Sequence, residues 1–303
     1  MTGSGLIERT IPKSGERLPV LGLGTFRAFD VPPRSAETDR LAGVLGAFIG
    51  AGGRVVDSSP MYGTAEGVVG DLSAKLGALA QPIAAIAPAD PAAPATGLGT
   101  PLFIATKVWT QGRREGIAQM ERSMQRLRAP RIDLMQVHNL VDVDTHLATL
   151  EAWKLEGRIR YLGITHHHGT AFDALEKLMR GRAIDFVQFN YHALDREAEQ
   201  RLLPAAADTG TAVLVNRPLG QGELITRTRG KAVPAWASRA GYRSWAQLAL
   251  AFVIAHPAVT CIIPATGDPA HLADNFEAAR ESAERPAPDA QFAQRVIKAL
   301  DSL

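Results

Sequence analysis

The stretch VVDSSPMYG, residues 55–63, opens as an apolar β-branched run, closes that run on Asp57, and reaches Tyr62 across a short polar turn. Branching at Cβ restricts χ1 and favours extended backbone, so Val55 and Val56 read as strand. An apolar run without alternation is what a strand covered on both faces shows. A carboxylate at its end marks the point where the chain leaves a buried sheet, and a phenol just beyond it poses the question of what the two groups do together.

Outward from this stretch the same unit recurs. Further strand-like runs are PVLGLGT (19–25), LFIATK (102–107), IDLMQVH (132–138), RYLGIT (160–165), FVQFNY (186–191), AVLVNR (212–217) and TCIIPA (260–265), making eight with residues 54–58. Helical periodicity fills the intervals at 36–51, 65–79, 114–127, 146–156, 170–180, 196–208 and 244–255, and again from 269 to about 279. Strands alternating with helices indicate a parallel sheet covered by helices, and eight such units favour a closed (β/α)₈ TIM barrel over an open sheet. Residues 7–21 predict an N-terminal β-hairpin turning at Ser14-Gly15 that plugs the barrel bottom, and residues 287–303 an extra C-terminal helix. Two stretches break the rhythm. Residues 78–101, rich in alanine and proline, predict an inserted surface loop, and residues 219–242 a long connection able to fold over a ligand.

Composition agrees with one soluble domain spanning residues 1–303. Of the chain, 46% is hydrophobic and 21% charged, enough to build a large core. The net charge is +2 and basic clusters such as Arg113-Arg114 are mere pairs without interleaved aromatics, which argues against nucleic acid. The single Cys261 excludes an internal disulfide and reads as a small buried hydrophobe. No apolar stretch is long enough to cross a bilayer, and MTGSGLIERT lacks the apolar region of a signal peptide. The expectation is a cytoplasmic monomer, unless a leader has been removed.

In such barrels, the loops leaving the C-terminal strand ends build the pocket. Side chains alternate along a strand, so Val55 and Asp57 share a face, as do Phe103, Ala105 and Lys107, and Leu134, Gln136 and His138. Singly, Asp57 could cap a turn, Lys107 could snorkel to water, and His138 could be a hydrogen-bonded core residue. Together they read differently. An ammonium in a barrel mouth needs an anion, which Asp57 on the adjacent strand supplies, and Tyr62 can reach the same point. A cation beside a phenol stabilises tyrosinate, so Lys107 is expected to lower the Tyr62 pKa while His138 holds a carbonyl oxygen. Acid and phenol would serve one proton-transfer site.

With those residues in place, the chain resembles the aldo-keto reductases, from LGLGTFR to IPATGDPAHLADN. The family's Asp, Tyr, Lys and His fall on Asp57, Tyr62, Lys107 and His138, within VVDSSPMYG, IATKVW and QVHN. The resemblance implies a barrel without a Rossmann domain that uses NADPH or NADH to reduce aldehydes and ketones, with Tyr62 as general acid. It implies that Thr165, His166 and Gln188 hold the nicotinamide carboxamide, although the familiar first pair is Ser-Asn. Gly24, Thr25 and Phe26 would line the cofactor and substrate cleft, with Trp109 and Asn139 bordering the substrate. Asn216 stands where many relatives stack an aromatic on the nicotinamide, and Arg217, Pro218 and Leu219 would approach the pyrophosphate. Thr266 and Asn275 match, but Ala265 and His271 replace a lysine and an arginine that many NADPH-dependent members set on the ribose 2′-phosphate. Losing two charge-assisted hydrogen bonds at roughly 1.5 to 3 kcal/mol each weakens discrimination for that phosphate at least about tenfold, unless another cation such as Arg280 substitutes.

Other signals carry less. GLGTFR lacks the full G-x-G-x-x-G spacing, the triplet His166-His167-His168 lacks the convergent partners of a metal site, and neither a G-x-S-x-G elbow nor a P-loop occurs. The rival to an active reductase is a low-turnover sensor or auxiliary subunit that binds the cofactor and keeps the reductase site.

Overall fold

The structure, a computed structural model, describes residues 5–79, 101–281 and 287–303. Residues 80–100 of the expected inserted loop lie outside the described residues, while its two flanks meet, Leu102 N–H donating to Ala78 O at 2.9 Å.

Two short strands, β1 (Gly5–Leu6) and β2 (Glu8–Thr10), precede β3 (Arg17–Pro19), which pairs antiparallel with β2 as the expected hairpin, Gly15 taking φ 74° in its turn. Eight parallel strands follow: β4 (Leu23–Gly24), β5 (Val55–Asp57), β6 (Phe103–Val108), β7 (Ile132–His138), β8 (Ile159–Thr165), β9 (Phe186–Asn190), β10 (Ala212–Asn216) and β11 (Val259–Ile262). They lie side by side in chain order from β4 to β11. The two edges then join. Gly22 N–H donates to Ile262 O at 2.8 Å, Ile262 N–H to Val20 O at 2.8 Å, and Gly24 N–H to Pro264 O at 3.0 Å. The sheet is thereby closed as a (β/α)₈ barrel. Gly24 is required at this seam, because a Cβ there would stand 2.7 Å from Ile263 O.

The helices are α1 (Ala36–Gly50), α2 (Ala65–Lys75), α3 (Arg113–Arg126), α4 (Val143–Leu155), α5 (Phe172–Gly181), α6 (Leu202–Thr209), the short α7 (Glu223–Arg227) and α8 (Ala235–Arg239), α9 (Trp245–Ile254), α10 (Pro269–Ala278) and α11 (Ala290–Asp301). Side-chain caps at Ser35, Ser244, Asp268 and Asp289 fix the starts of α1, α9, α10 and α11 by accepting first-turn N–H groups. The helix expected at 196–208 is broken: Glu197–Glu199 is a 3-10 turn and α6 begins only at Leu202. Pro204 explains it, since it has no N–H for the Gln200 carbonyl and is tolerated only in a first turn. Helix α2 stops at Lys75 rather than 79, with Gly77 at φ 64°, and α4 starts a turn earlier than 146. A final strand, β12 (Arg280–Glu281), pairs with β1, a ribbon the sequence does not announce.

Two apolar layers result. Ile11 and Leu18 of the hairpin, with Val55, Phe103, Ala105, Leu134, Tyr161, Phe186, Leu214 and Cys261, fill the barrel interior. The alternate residues of the same strands pack outward on the helices. Cys261 is fully buried in the inner layer, as expected of a small hydrophobe. The long connection after β10 packs through buried Leu224 and Ala237 rather than standing free. Among the described residues no helix is long and apolar enough to cross a membrane.

Candidate active site

The inward-facing series Val55, Phe103, Ala105 and Leu134 fills the lower barrel. One step further along the same faces stand Asp57, Lys107 and Gln136, all buried, so the inner layer turns polar where the strands end. Strand β5 pairs with β6, and β6 with β7, which sets these three groups side by side.

Lys107 is wholly buried. Its Nζ donates to Asp57 Oδ2 at 2.6 Å and to Ser58 O at 2.7 Å. The other carboxylate oxygen, Asp57 Oδ1, accepts from Gln136 Nε2 at 3.2 Å and from Gln188 Nε2 at 3.1 Å. Thr165 Oγ1 in turn donates to Gln188 Oε1 at 3.0 Å, and Thr25 Oγ1 donates to Asp57 O at 3.0 Å. Asp57 is therefore clamped from four sides. The Tyr62 ring lies with its centroid 5.3 Å from Lys107 Nζ, meets the His138 ring edge-on at 6.2 Å, and packs against Phe26 at 5.0 Å.

Burial is the first influence on Lys107, Tyr62 and His138. It disfavours the Lys107 ammonium, yet the charges of Asp57 and Tyr62 together with the Asp57 hydrogen bond hold the Lys107 pKa above its ordinary value. Burial pushes the Tyr62 phenol up, and the opposing pull of Lys107 is the smaller effect. Lys107 acts in the expected direction, lowering the Tyr62 pKa, but desolvation outweighs it and the net shift is upward. Burial, then the Lys107 charge and the nearby His167 and His166, take the His138 imidazole down to about 2. That ring is neutral at any ordinary pH.

The remaining expected site residues differ in burial and bonding. Thr25, Thr165 and Gln188 are buried and bonded to the Asp57 cluster, so they support it directly. Phe26 and Trp109 are exposed large aromatics, and Trp109 is fixed through its backbone, Gln119 bonding both its N–H (2.6 Å) and its carbonyl (3.1 Å). His166 Nδ1 accepts from His168 N–H at 3.1 Å, while His167 Nδ1 meets Asn139 Oδ1 at 3.2 Å in a turn where Asn139 and Leu140 both take positive φ.

A polar cleft of about 220 Å³ at the C-terminal strand ends is lined by His167, Asn190, His192, Arg217, Gly220 and Gln221, among others. Asn216 Oδ1 and Asn190 Oδ1 are buried acceptors without a partner among the described residues. The unpaired Asn190 oxygen shares this cleft with Arg217, which suits a ligand carrying both amide N–H and anionic groups, although Asp195 and Glu223 also line it. A nicotinamide dinucleotide is such a ligand. Pro218 and Leu219 continue from Arg217 along this loop. Beyond the seam, Ala265 is exposed and bridges Gly24; Thr266 Oγ1 accepts from Asp268 N–H at 3.1 Å; Asn275 is buried; and His271 is exposed on the first turn of α10. Three residues of the cluster carry no role in the sequence reading: Gln136, Ser58 and Ser59. Gln136 shares the inward face of β7 with His138, which was the available signal.

A family model described as the aldo/keto reductase family matches residues 20–294. The chain is 33% identical over 112 residues to the NADH-specific methylglyoxal reductase of Escherichia coli, covering 35% of this chain and 33% of that protein. It is 29% identical over 160 residues to an uncharacterised oxidoreductase of Schizosaccharomyces pombe, covering 52% and 50%. The chain thus spans a third to a half of the length of these curated relatives. Among solved structures it is similar to an aldo/keto reductase from Klebsiella pneumoniae in complex with NADP and acetate, with TM-score 0.72 and 23% identity over 96% of this chain and 94% of that one. A holo-form aldo-keto reductase from Bacillus halodurans superposes with TM-score 0.72 at 19% identity, covering 97% and 96%. These structural likenesses bear on the fold.

Proposed function

The chain belongs to the aldo/keto reductase family, and from that premise we propose that it is an NAD(P)H-dependent oxidoreductase that reduces small aldehydes or ketones to alcohols, with Tyr62 as the general acid. The observation that carries this reading is the buried Lys107–Asp57 pair at 2.6 Å, set against the Tyr62 ring with His138 on the ring's other edge.

A bound nicotinamide supplies the hydride; the chain's own residues manage the carbonyl oxygen and exclude water. Tyr62, held protonated by burial, donates its phenolic proton to the oxygen as negative charge develops there. The phenolate left behind is stabilised by Lys107, whose ammonium Asp57 keeps charged and fixed. His138, neutral, offers an N–H to the same oxygen. Asn216, Arg217 and the Asn190 oxygen would hold the cofactor, and Phe26 and Trp109 would form apolar walls for the substrate.

The cofactor preference follows from what surrounds α10. Where the resemblance places the ribose, Ala265 brings no charge, and the Asp268 carboxylate already accepts the Ala270 N–H at 2.7 Å and the His271 N–H at 3.2 Å. A 2′-phosphate would have to compete with that carboxylate for the same donors, against like charge. Arg280, one candidate cation, is paired with Glu277 at 3.3 Å, while Arg40 lies close to Gly267 and adds positive charge near the Asp268 carboxylate. A weakened preference for NADPH is therefore expected, with NADH accepted as well. Catalytic efficiencies measured with both cofactors check this, and a strong NADPH bias contradicts it.

Steady NAD(P)H oxidation in the presence of a panel of aldehydes and ketones tests the reading as a whole. Turnover on several carbonyls supports it. Cofactor binding without turnover on any of them would overturn it in favour of a sensor or auxiliary subunit.

A further inference from the structure

We propose that Ser59 is a positioning residue that sets the tautomer of His138, placing the ring hydrogen on Nε2, the nitrogen without a protein partner among the described residues. Ser59 is fully buried, and its Oγ lies 3.2 Å from His138 Nδ1 and 3.3 Å from the backbone nitrogen of Met61. The Met61 N–H can only donate, so it occupies one lone pair of the hydroxyl oxygen. The hydroxyl hydrogen needs an acceptor of its own, and among the described residues His138 Nδ1 is the one within reach.

Only one of the two neutral tautomers satisfies both groups. If Nδ1 carried the hydrogen, the serine oxygen would accept from two N–H groups while its own hydrogen pointed into a buried space without a partner, which is costly. If Nδ1 is bare, Ser59 donates to it and every polar atom at this point is paired. Nε2 then bears the N–H. No protein partner for Nε2 is found among the described residues, so that N–H is free to meet a ligand oxygen. The neighbouring serine cannot substitute: Ser58 Oγ lies 3.0 Å from Thr25 Oγ1, whose hydrogen is already given to Asp57 O, so the Ser58 hydroxyl donates to Thr25 instead. The turn itself delivers Ser59: Tyr62 N–H donates to Ser59 O at 3.0 Å, so the same four residues that present the phenol also orient the imidazole.

This inference rests on the proposed carbonyl reduction only for its consequence; the tautomer is a property of the protein without ligand. Long-range ¹H–¹⁵N correlation of the imidazole nitrogens, with His138 assigned by its loss in His138→Gln, reads it directly in the wild-type chain. The expected result is a protonated Nε2 and an unprotonated, hydrogen-bonded Nδ1. A wild-type spectrum with the hydrogen on Nδ1 overturns the proposal, whatever the activity. In Ser59→Ala the Nδ1 resonance should move to the position of an unbonded nitrogen or show a mixed tautomer, and kcat should fall about three- to tenfold, the equivalent of one net hydrogen bond. Cofactor affinity should stay within about twofold, and Ser59→Thr, which keeps the hydroxyl, should restore both spectrum and rate. An unchanged spectrum in Ser59→Ala would equally overturn it. The expected tautomer in a chain that reduces no carbonyl would leave this assignment standing and remove the functional reading instead.

Discussion

Asp57 and Lys107 depend on each other more than on anything else around them. A buried ammonium without its carboxylate, or the reverse, leaves an uncompensated charge, and breaking such a pair typically costs about 3–5 kcal/mol. Lys107→Met should therefore lower unfolding stability by about that much in urea titration, while the double variant Asp57→Asn with Lys107→Met should recover most of the loss. A single variant as stable as wild type would show that the 2.6 Å pair does not carry its charge in a buried site. These two residues and His138 were legible in the sequence because strand alternation puts them on one face, and an ammonium in a barrel mouth calls for an anion. Gln136 was legible only as a residue on that face and Ser59 not at all, since a neutral polar residue raises no question of charge balance. The net rise of the Tyr62 pKa was out of reach for a related reason: the lowering by Lys107 can be read from the chain, but the depth of burial that outweighs it cannot.

At the scale of elements, α2 and α3 show how close approach sets what a helix tolerates. Gly70 faces the end of α3 so tightly that a Cβ would fall 2.0 Å from Arg126 O, whereas nothing lies within 4 Å of the Cβ position at Gly67, one turn earlier on the same helix. Gly70→Ala should destabilise the protein by about 1–3 kcal/mol or more through forced backbone movement. Gly67→Ala should stabilise it by roughly 0.5–1 kcal/mol through reduced chain entropy. Thermal unfolding of the two variants side by side checks both signs, and a matched response would mean that the α2–α3 contact is looser than described. Nothing in the periodicity of residues 65–79 separates these glycines, because the contact is between elements far apart in the chain. The same limit explains the unannounced β1–β12 ribbon, which joins the two ends of the described barrel. By contrast, the break before α6 was available locally in Pro204, and the strand positions were legible because fully covered strands are continuous apolar runs.

At the scale of the whole molecule, the closed barrel follows from eight repeats of one unit, while the hydrogen bonds of its seam at Gly22 and Gly24 join strands at opposite ends of the chain and are not written in either strand alone. Burying His138 within this barrel ties stability to pH. The unfolded imidazole takes up a proton near 6.5, whereas the folded one stays neutral down to about 2, so below pH 6.5 the unfolded state binds the extra proton. Stability is unaffected by this group above that point and falls as pH drops, by up to about 1.4 kcal/mol per pH unit. Urea unfolding at pH 8, 7, 6 and 5 should show that decline, and His138→Gln should make it shallower, the rest coming from other histidines such as the half-buried His167; equal slopes would place the whole loss on other groups. What the barrel accomplishes as a unit is to bring a phenol, an ammonium, a carboxylate and an imidazole from separate segments to one point. The most direct measurement of that claim is kcat for carbonyl reduction by Tyr62→Phe, alongside a cofactor-binding titration. A loss of at least about a hundredfold in kcat with cofactor affinity nearly unchanged is the predicted result, and a variant that keeps the full wild-type rate would contradict the assignment of the proton donor.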